Sequence, residues 1–193
     1  VKPIRFEETL SLTDYERVRP RLRPLFIHEK NRRRLAVGSH LTFLFENAQT
    51  VWYQVHEMIR TEQMRTAEAI AHELETYNEL LPGADALSAT LLIEYESAPE
   101  RDAALRRLVG LERHLHLVLG DRRSSVEFDR RQMDTERLSA VQFVRLPMAG
   151  VTRAQFLQLA AQDRLAIEAD HPSLAARASI DAALAAALAE DLG

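Results

Sequence analysis

Between residues 87 and 148 the chain adopts a two-residue rhythm. LSATLLIEYE (87–96), HLHLVL (114–119), SSVEFD (124–129) and SAVQFVRLPM (139–148) are each of strand length, with apolar residues alternating with polar or mixed ones. That is the pattern of strands with one buried face. GDRR separates the second and third runs, a turn signal that makes them a hairpin. In HLHLVL the alternation puts Leu115, Leu117 and Leu119 on one face, expected to lie under helices. His114 and His116 fall on the other face, expected to be open.

The flanking segments read as helices. Thr13 and Glu16 form a capping box. Pro20 is expected to interrupt the helix they open, and Pro24 to restart it, because proline is tolerated in a first turn. LAVGSHLTFLFEN, with Gly38 at its centre, reads as two short strands or one bent strand. Residues 48–64 place Val51, Trp52, Val55, Met58 and Ile59 on one helical face. Residues 66–80 form another helix, closed by Pro82-Gly83. Pro99 opens a helix to about Leu111 and Thr152 caps one to about Gln162. RLAIEADHP reads as a short strand, and an Ala-rich helix ends the chain. No repeat or low-complexity linker divides the sequence. The expected fold is therefore α+β, a single domain over residues 1–193. It has a basic helical region at 1–34 and a body at 35–193, where a mainly antiparallel or mixed sheet has helices on one face.

Composition narrows the chemistry. With 193 residues, 46% of them hydrophobic, the chain can bury a core without covalent staples. The absence of cysteine excludes disulfides, thiol catalysis and Cys-held zinc or iron–sulfur clusters. No apolar run has membrane-spanning length, and VKPIRFEETL lacks the apolar segment of a signal peptide. A cytoplasmic location is expected, with no membrane partner. Charge is unevenly spread. Residues 1–37 hold ten Lys or Arg against five Asp or Glu, while the remainder holds 15 against 24. Such asymmetry marks either a partner-binding end or a basic helix docked on an acidic body.

Two constellations could carry a ligand. His114 and His116 can chelate one divalent metal if carboxylates approach from neighbouring strands. Glu94 and Glu127 occupy the polar faces of two of them. The competing reading is an open sheet face whose histidines meet water or a second subunit. The NRRR run supplies Arg32, Arg33 and Arg34, with His40 near in sequence, and Tyr53 with Arg60 lies on the polar side of the 48–64 helix. These are candidates for an anion or protein contact. The alternatives are a helix end docked on the body and ordinary core packing. Nucleic acid is not an expected partner of an acidic chain with no recognition motif. HELET, residues 72–76, falls one histidine short of a zinc-protease signature, and Glu68, His72, Glu75 and Glu79 form a solvated stripe. There is no G-x-S-x-G elbow, Walker loop or G-x-G-x-x-G. The DHP at 170–172 reads as a turn before a helix.

LTDYERVRP, VGSHLTFLFEN, YQVHEM, HELETYNELLPG, LSATLLIEYE, LRRLVGLE and VQFVRLPM, in this order, resemble a bacterial domain-of-unknown-function family, number 3501, over nearly the whole chain. The genes of that family often neighbour those of rubrerythrin-like and iron–sulfur proteins. The resemblance therefore implies a place beside peroxide or electron-transfer chemistry, without assigning active residues. Two functions are expected. One is a non-catalytic accessory or binding protein that meets a protein partner or another copy of itself. The other is a metal-dependent enzyme or metal-binding redox accessory with its site on the open sheet face.

Overall fold

The structure, a computed structural model, describes residues 1–132 and 134–192. Helix α1 spans Leu12–Arg32, capped by Ser11, whose hydroxyl accepts the Asp14 amide. It is one continuous helix, and the break expected at Pro20 does not occur. Pro20 and Pro24 both lie on its exposed side, so the carbonyls they leave unbonded one turn earlier can reach water. The other side is held by α2, Ala48–Thr61. There Tyr15 packs against His56 at 4.9 Å and Phe26 stacks on Tyr53 at 4.6 Å between ring centroids. Glu57 accepts from Tyr15 at 2.7 Å and from Arg19 at 2.7 and 2.8 Å. These contacts override the local cost of the prolines.

LAVGSHLTFLFEN forms the hairpin of β1 (Arg34–Val37) and β2 (Leu41–Phe45). Gly38 supplies its turn at φ 64°, and a Cβ there would come within 2.9 Å of Ala176. After α2 come α3 (Ala67–Asn78), β3 (Ala86–Ile93), α4 (Ala98–Arg107) and β4 (Leu115–Leu119). Next are β5 (Arg122–Ser125), β6 (Glu127–Phe128), β7 (Val141–Pro147) and α5 (Arg153–Ala161). The chain closes with β8 (Leu165–His171), β9 (Leu174–Ser179) and α6 (Ala182–Ala189).

The strands form two antiparallel sheets, ordered β1-β2-β3-β7-β6 and β5-β4-β8-β9. The fold is α+β, as expected, with the strands shared between two sheets. Only Val126 separates β5 from β6, and its amide still bonds the Leu115 carbonyl. The run 122–128 thus begins in one sheet and ends in the other. The principal core lies between the sheets: Phe43, Phe45, Leu87 and Leu91 from the first meet Leu115, Leu117 and Ile167 from the second. The leucine row of β4 was expected under helices and instead packs against the opposite sheet. A second cluster, Val51, Val55, Ile59 and Leu74 with Phe143 beside them, lies where α2 and α3 cover the outer face of the first sheet. Among the described residues no helix is long and apolar enough to cross a membrane.

One strand was not expected. LAARAS, read as the start of the terminal helix, is β9, in register with β8 from Ala166↔Ser179 to His171↔Leu174. Pro172 and Ser173 form the connecting turn, so DHP leads into a hairpin.

Candidate functional site

The histidine pair lies where the alternation put it. Leu115 and Leu117 are buried in the core. His116 sits on the outer face of the second sheet beside Ser125 and Glu168, and His114 precedes the strand. Both rings turn to one carboxylate. His114 Nδ1 is 2.9 Å from Asp170 Oδ1, and His116 Nε2 is 3.7 Å from Asp170 Oδ2. Arg123 donates to the same Oδ2 at 2.7 Å and to Glu168 at 3.1 Å, and Arg177 pairs with Glu168 at 2.7 Å. Hydrogen bonds from Arg123 first, then from His114, hold the Asp170 carboxyl below the usual carboxylate range.

The carboxylates expected to complete a metal site are not among these groups. Glu94 follows β3 in the other sheet, where it accepts from Thr42 at 2.5 Å and lies 3.5 Å from Arg34. Glu127 lies in β6 opposite Arg145 and lines a separate cavity. The division of the strands between two sheets separates these side chains from the histidines. Among the described residues no three His, Asp or Glu side chains are grouped to enclose a metal ion.

The basic run is divided too. Arg33 is wholly enclosed, donating to Glu29 at 2.6 Å, to Asp191 at 2.5 Å and to the Ala187 carbonyl at 2.7 Å. Arg32 pairs with Glu29 and with Glu190. Together they fasten the end of α1 to the end of α6. His40 stacks on Tyr95 at 3.9 Å, Tyr53 lies between Phe26 and Lys30, and Arg60 is 2.7 Å from Glu16. Arg32, Arg33, Arg34, His40, Tyr53 and Arg60 therefore do not converge on one anion site. His72 and its acidic neighbours on α3 face solvent.

A deeper recess lies elsewhere. Helix α3 rests on α2 and on the turn at Phe6–Glu8, with Asn78 exchanging hydrogen bonds with the Ile4 backbone at 2.8 and 2.9 Å. A cavity of about 780 Å³ opens between this helix and strands β3, β7 and β6. Tyr77 comes from α3 and Leu80 from the turn after it, Ser88 from β3, Phe143 and Arg145 from β7, and Phe128 from β6. Opposite α3, the chain after β6 is held along β7 by the Asp129 amide to the Phe143 carbonyl at 3.1 Å and the Phe143 amide to Gln132 at 2.9 Å. Arg131 binds both Asp129 and Glu79, joining that segment to the end of α3 across the cavity. Burial first, then Glu73 and Glu46, pushes the Tyr77 phenol up, so it is a neutral hydroxyl at ordinary pH. The volume and the mixed apolar and polar lining are those of a small-molecule site.

A family model described as a protein of unknown function, DUF3501, matches residues 3–192. The chain belongs to the DUF3501 family. It is similar to a novel protein of unknown function from Burkholderia pseudomallei, whose crystal structure superposes with a TM-score of 0.90 at 35% identity, covering 100% of each chain. No curated protein matches it. The cavity in this DUF3501 chain was not foreseen from its sequence, although part of the signal was there. Gln142, Val144 and Leu146 alternate with Phe143 and Arg145 along β7, which already turns the latter two away from the principal core. What no local pattern supplies is the juxtaposition of β7 with α3.

Proposed function

We propose that this protein is a non-catalytic binding protein whose ligand occupies the cavity beneath α3. One observation carries this reading: the helix stands off the sheet over a recess of about 780 Å³ floored by side chains from three strands. A site of that size takes a compact organic molecule. An accessory role beside peroxide or electron-transfer proteins, as the family resemblance implies, requires no redox group held by cysteine, and the chain has none. The neutral fluorophore N-phenyl-1-naphthylamine tests the cavity. It is expected to bind saturably at one site, and both Ser88→Leu, which fills the floor, and Thr76→Trp, which fills the mouth, are expected to weaken it by about tenfold or more. Non-saturable binding, or binding untouched by both substitutions, overturns the proposal.

A second reading keeps a divalent metal on the open face of the second sheet. It is supported by the approach of His114 and His116 to the two oxygens of Asp170, three groups that would have to rearrange to enclose a cation. Here Asp170 replaces Glu94 and Glu127 as the carboxylate, and it must leave Arg123 to coordinate a cation. Arg123→Ala is therefore expected to raise zinc affinity by about tenfold, measured by titration against a chelating dye. Equal affinities in wild type and variant, or no zinc binding in either, would remove this reading.

A further inference from the structure

The charged groups around the cavity sort into those already matched and those left over. Arg131 is matched twice, by Asp129 and by Glu79. Arg130 and Arg145 have no carboxylate partner among the described residues, although both line the cavity. Arg145 is the more deliberately placed of the two. It stands opposite Ser88 on one side and Glu127 on the other, so these side chains form a row across β3, β7 and β6. A Cβ on Gly83 would lie 2.7 Å from Arg145 Nη2 and 3.3 Å from Asp85 Oδ1. The loop before β3 thus leaves room for the guanidinium by having no side chain at that point. Neither Asp85 nor Glu127 closes on it, and it remains open to a ligand. Next to this row, Phe143 provides the apolar floor, with Leu80 and Tyr77 above it.

We infer that the ligand is an organic anion, with a flat apolar body lying over Phe143 and an acid group met by the Arg145 guanidinium, with Arg130 at the rim. This rests on the cavity being a binding site. The planar fork of an arginine matches the two oxygens of a carboxylate, sulfonate or phosphate, and charge-assisted hydrogen bonds of that kind favour an anion over a neutral molecule of the same shape. Glu73 and Glu127 also reach the cavity, and they are the groups that a cationic ligand would use instead. Burial first, then the nearby Glu62, pushes the Glu73 carboxyl up, which weakens its claim as a partner for a cation.

Three naphthyl probes separate the possibilities: the sulfonate 1-anilinonaphthalene-8-sulfonate, neutral N-phenyl-1-naphthylamine and cationic N-(1-naphthyl)ethylenediamine. The wild-type protein is expected to prefer the sulfonate over the neutral probe by about tenfold. Arg145→Gln is expected to abolish that preference while leaving the neutral probe's affinity unchanged, and Arg130→Gln to reduce it in part. Ser88→Leu and Thr76→Trp are expected to displace both probes. Equal binding of sulfonate and neutral probe, insensitivity of the sulfonate to Arg145→Gln, or preference for the cation overturns the anion assignment and leaves the cavity standing as a site. Failure of the two cavity-filling variants to displace any probe overturns both readings together.

Discussion

Arg33 and Arg34 are neighbours in sequence with opposite fates. Arg33 has 0% of its surface exposed and meets Glu29, Asp191 and the end of α6, while Arg34 is exposed and only 3.5 Å from Glu94. Burial pushes the Glu29 carboxyl up, but hydrogen bonds from Arg32 and Arg33 outweigh it and hold the group below its usual range. Asp191 goes the other way, raised by burial despite Arg33. Removing Arg33 strands Asp191 and leaves Glu29 only Arg32 and Asn47, whereas an exposed pair contributes little. Arg33→Ala is expected to cost about 3–5 kcal/mol in urea unfolding, and Arg34→Ala less than about 1 kcal/mol. Equal losses would contradict the enclosed network. At this scale the sequence was a poor guide to charge. NRRR reads as a basic patch, and only its position against the acidic end of α6 turns it into a fastening. His56 lies at the border of the apolar face of α2. It is buried and satisfied, accepting the Leu10 amide at 2.9 Å and donating to the Trp52 carbonyl at 2.8 Å.

At the scale of the element, the departures came where propensity and tertiary contact disagree. Proline costs a helix about 3 kcal/mol at an interior position, yet α1 runs through two of them. Its inner side is fixed by Tyr15, Arg19 and Phe26, and its outer side lets water reach the freed carbonyls. Pro20→Ala is accordingly expected to stabilise the protein by roughly 1 to 3 kcal/mol, the helical gain being offset in part by a freer unfolded chain. An unchanged or lower urea midpoint would show that Pro20 itself is required for docking on α2. LAARAS shows the reverse conflict. Alanine favours helix, but β8 offers an edge with an unpaired ladder, and Pro172 with Ser173 turns the chain back onto it. Where pattern and context agree, elements were legible. Thr152 caps α5 as expected, Asn47 caps α2 just before the periodic run at 48, and the alternation in β4 gave its correct inner and outer faces.

Two pH windows act on the whole molecule, because they involve the contact between α1 and α2. Burial holds the His56 imidazole below its usual value. The unfolded chain therefore takes up this proton first, near pH 6.5. The contribution is complete above that pH and declines as pH falls from there toward the lower folded value. The Glu57 carboxyl is held at about 2, chiefly by the Arg19 hydrogen bond, against an ordinary value of 4.5. Its contribution is complete above 4.5 and is lost as pH falls from there toward 2. The urea midpoint is expected to begin falling near pH 6.5 in wild type but not in His56→Gln, with a steeper fall below 4.5 in both. An identical upper limb in the two proteins would show that His56 is not the group responsible. The sequence by itself determined the fold class, most elements and which face of β4 is apolar, because these follow from periods of 2 and 3.6 residues and from caps only a few residues long. Only the tertiary structure decided that the strands divide into two sheets, that Glu94 and Glu127 lie apart from His114 and His116, and that α3 stands over a cavity. Those outcomes depend on how strands distant in sequence pair and how helices settle on them, and no local pattern encodes that choice.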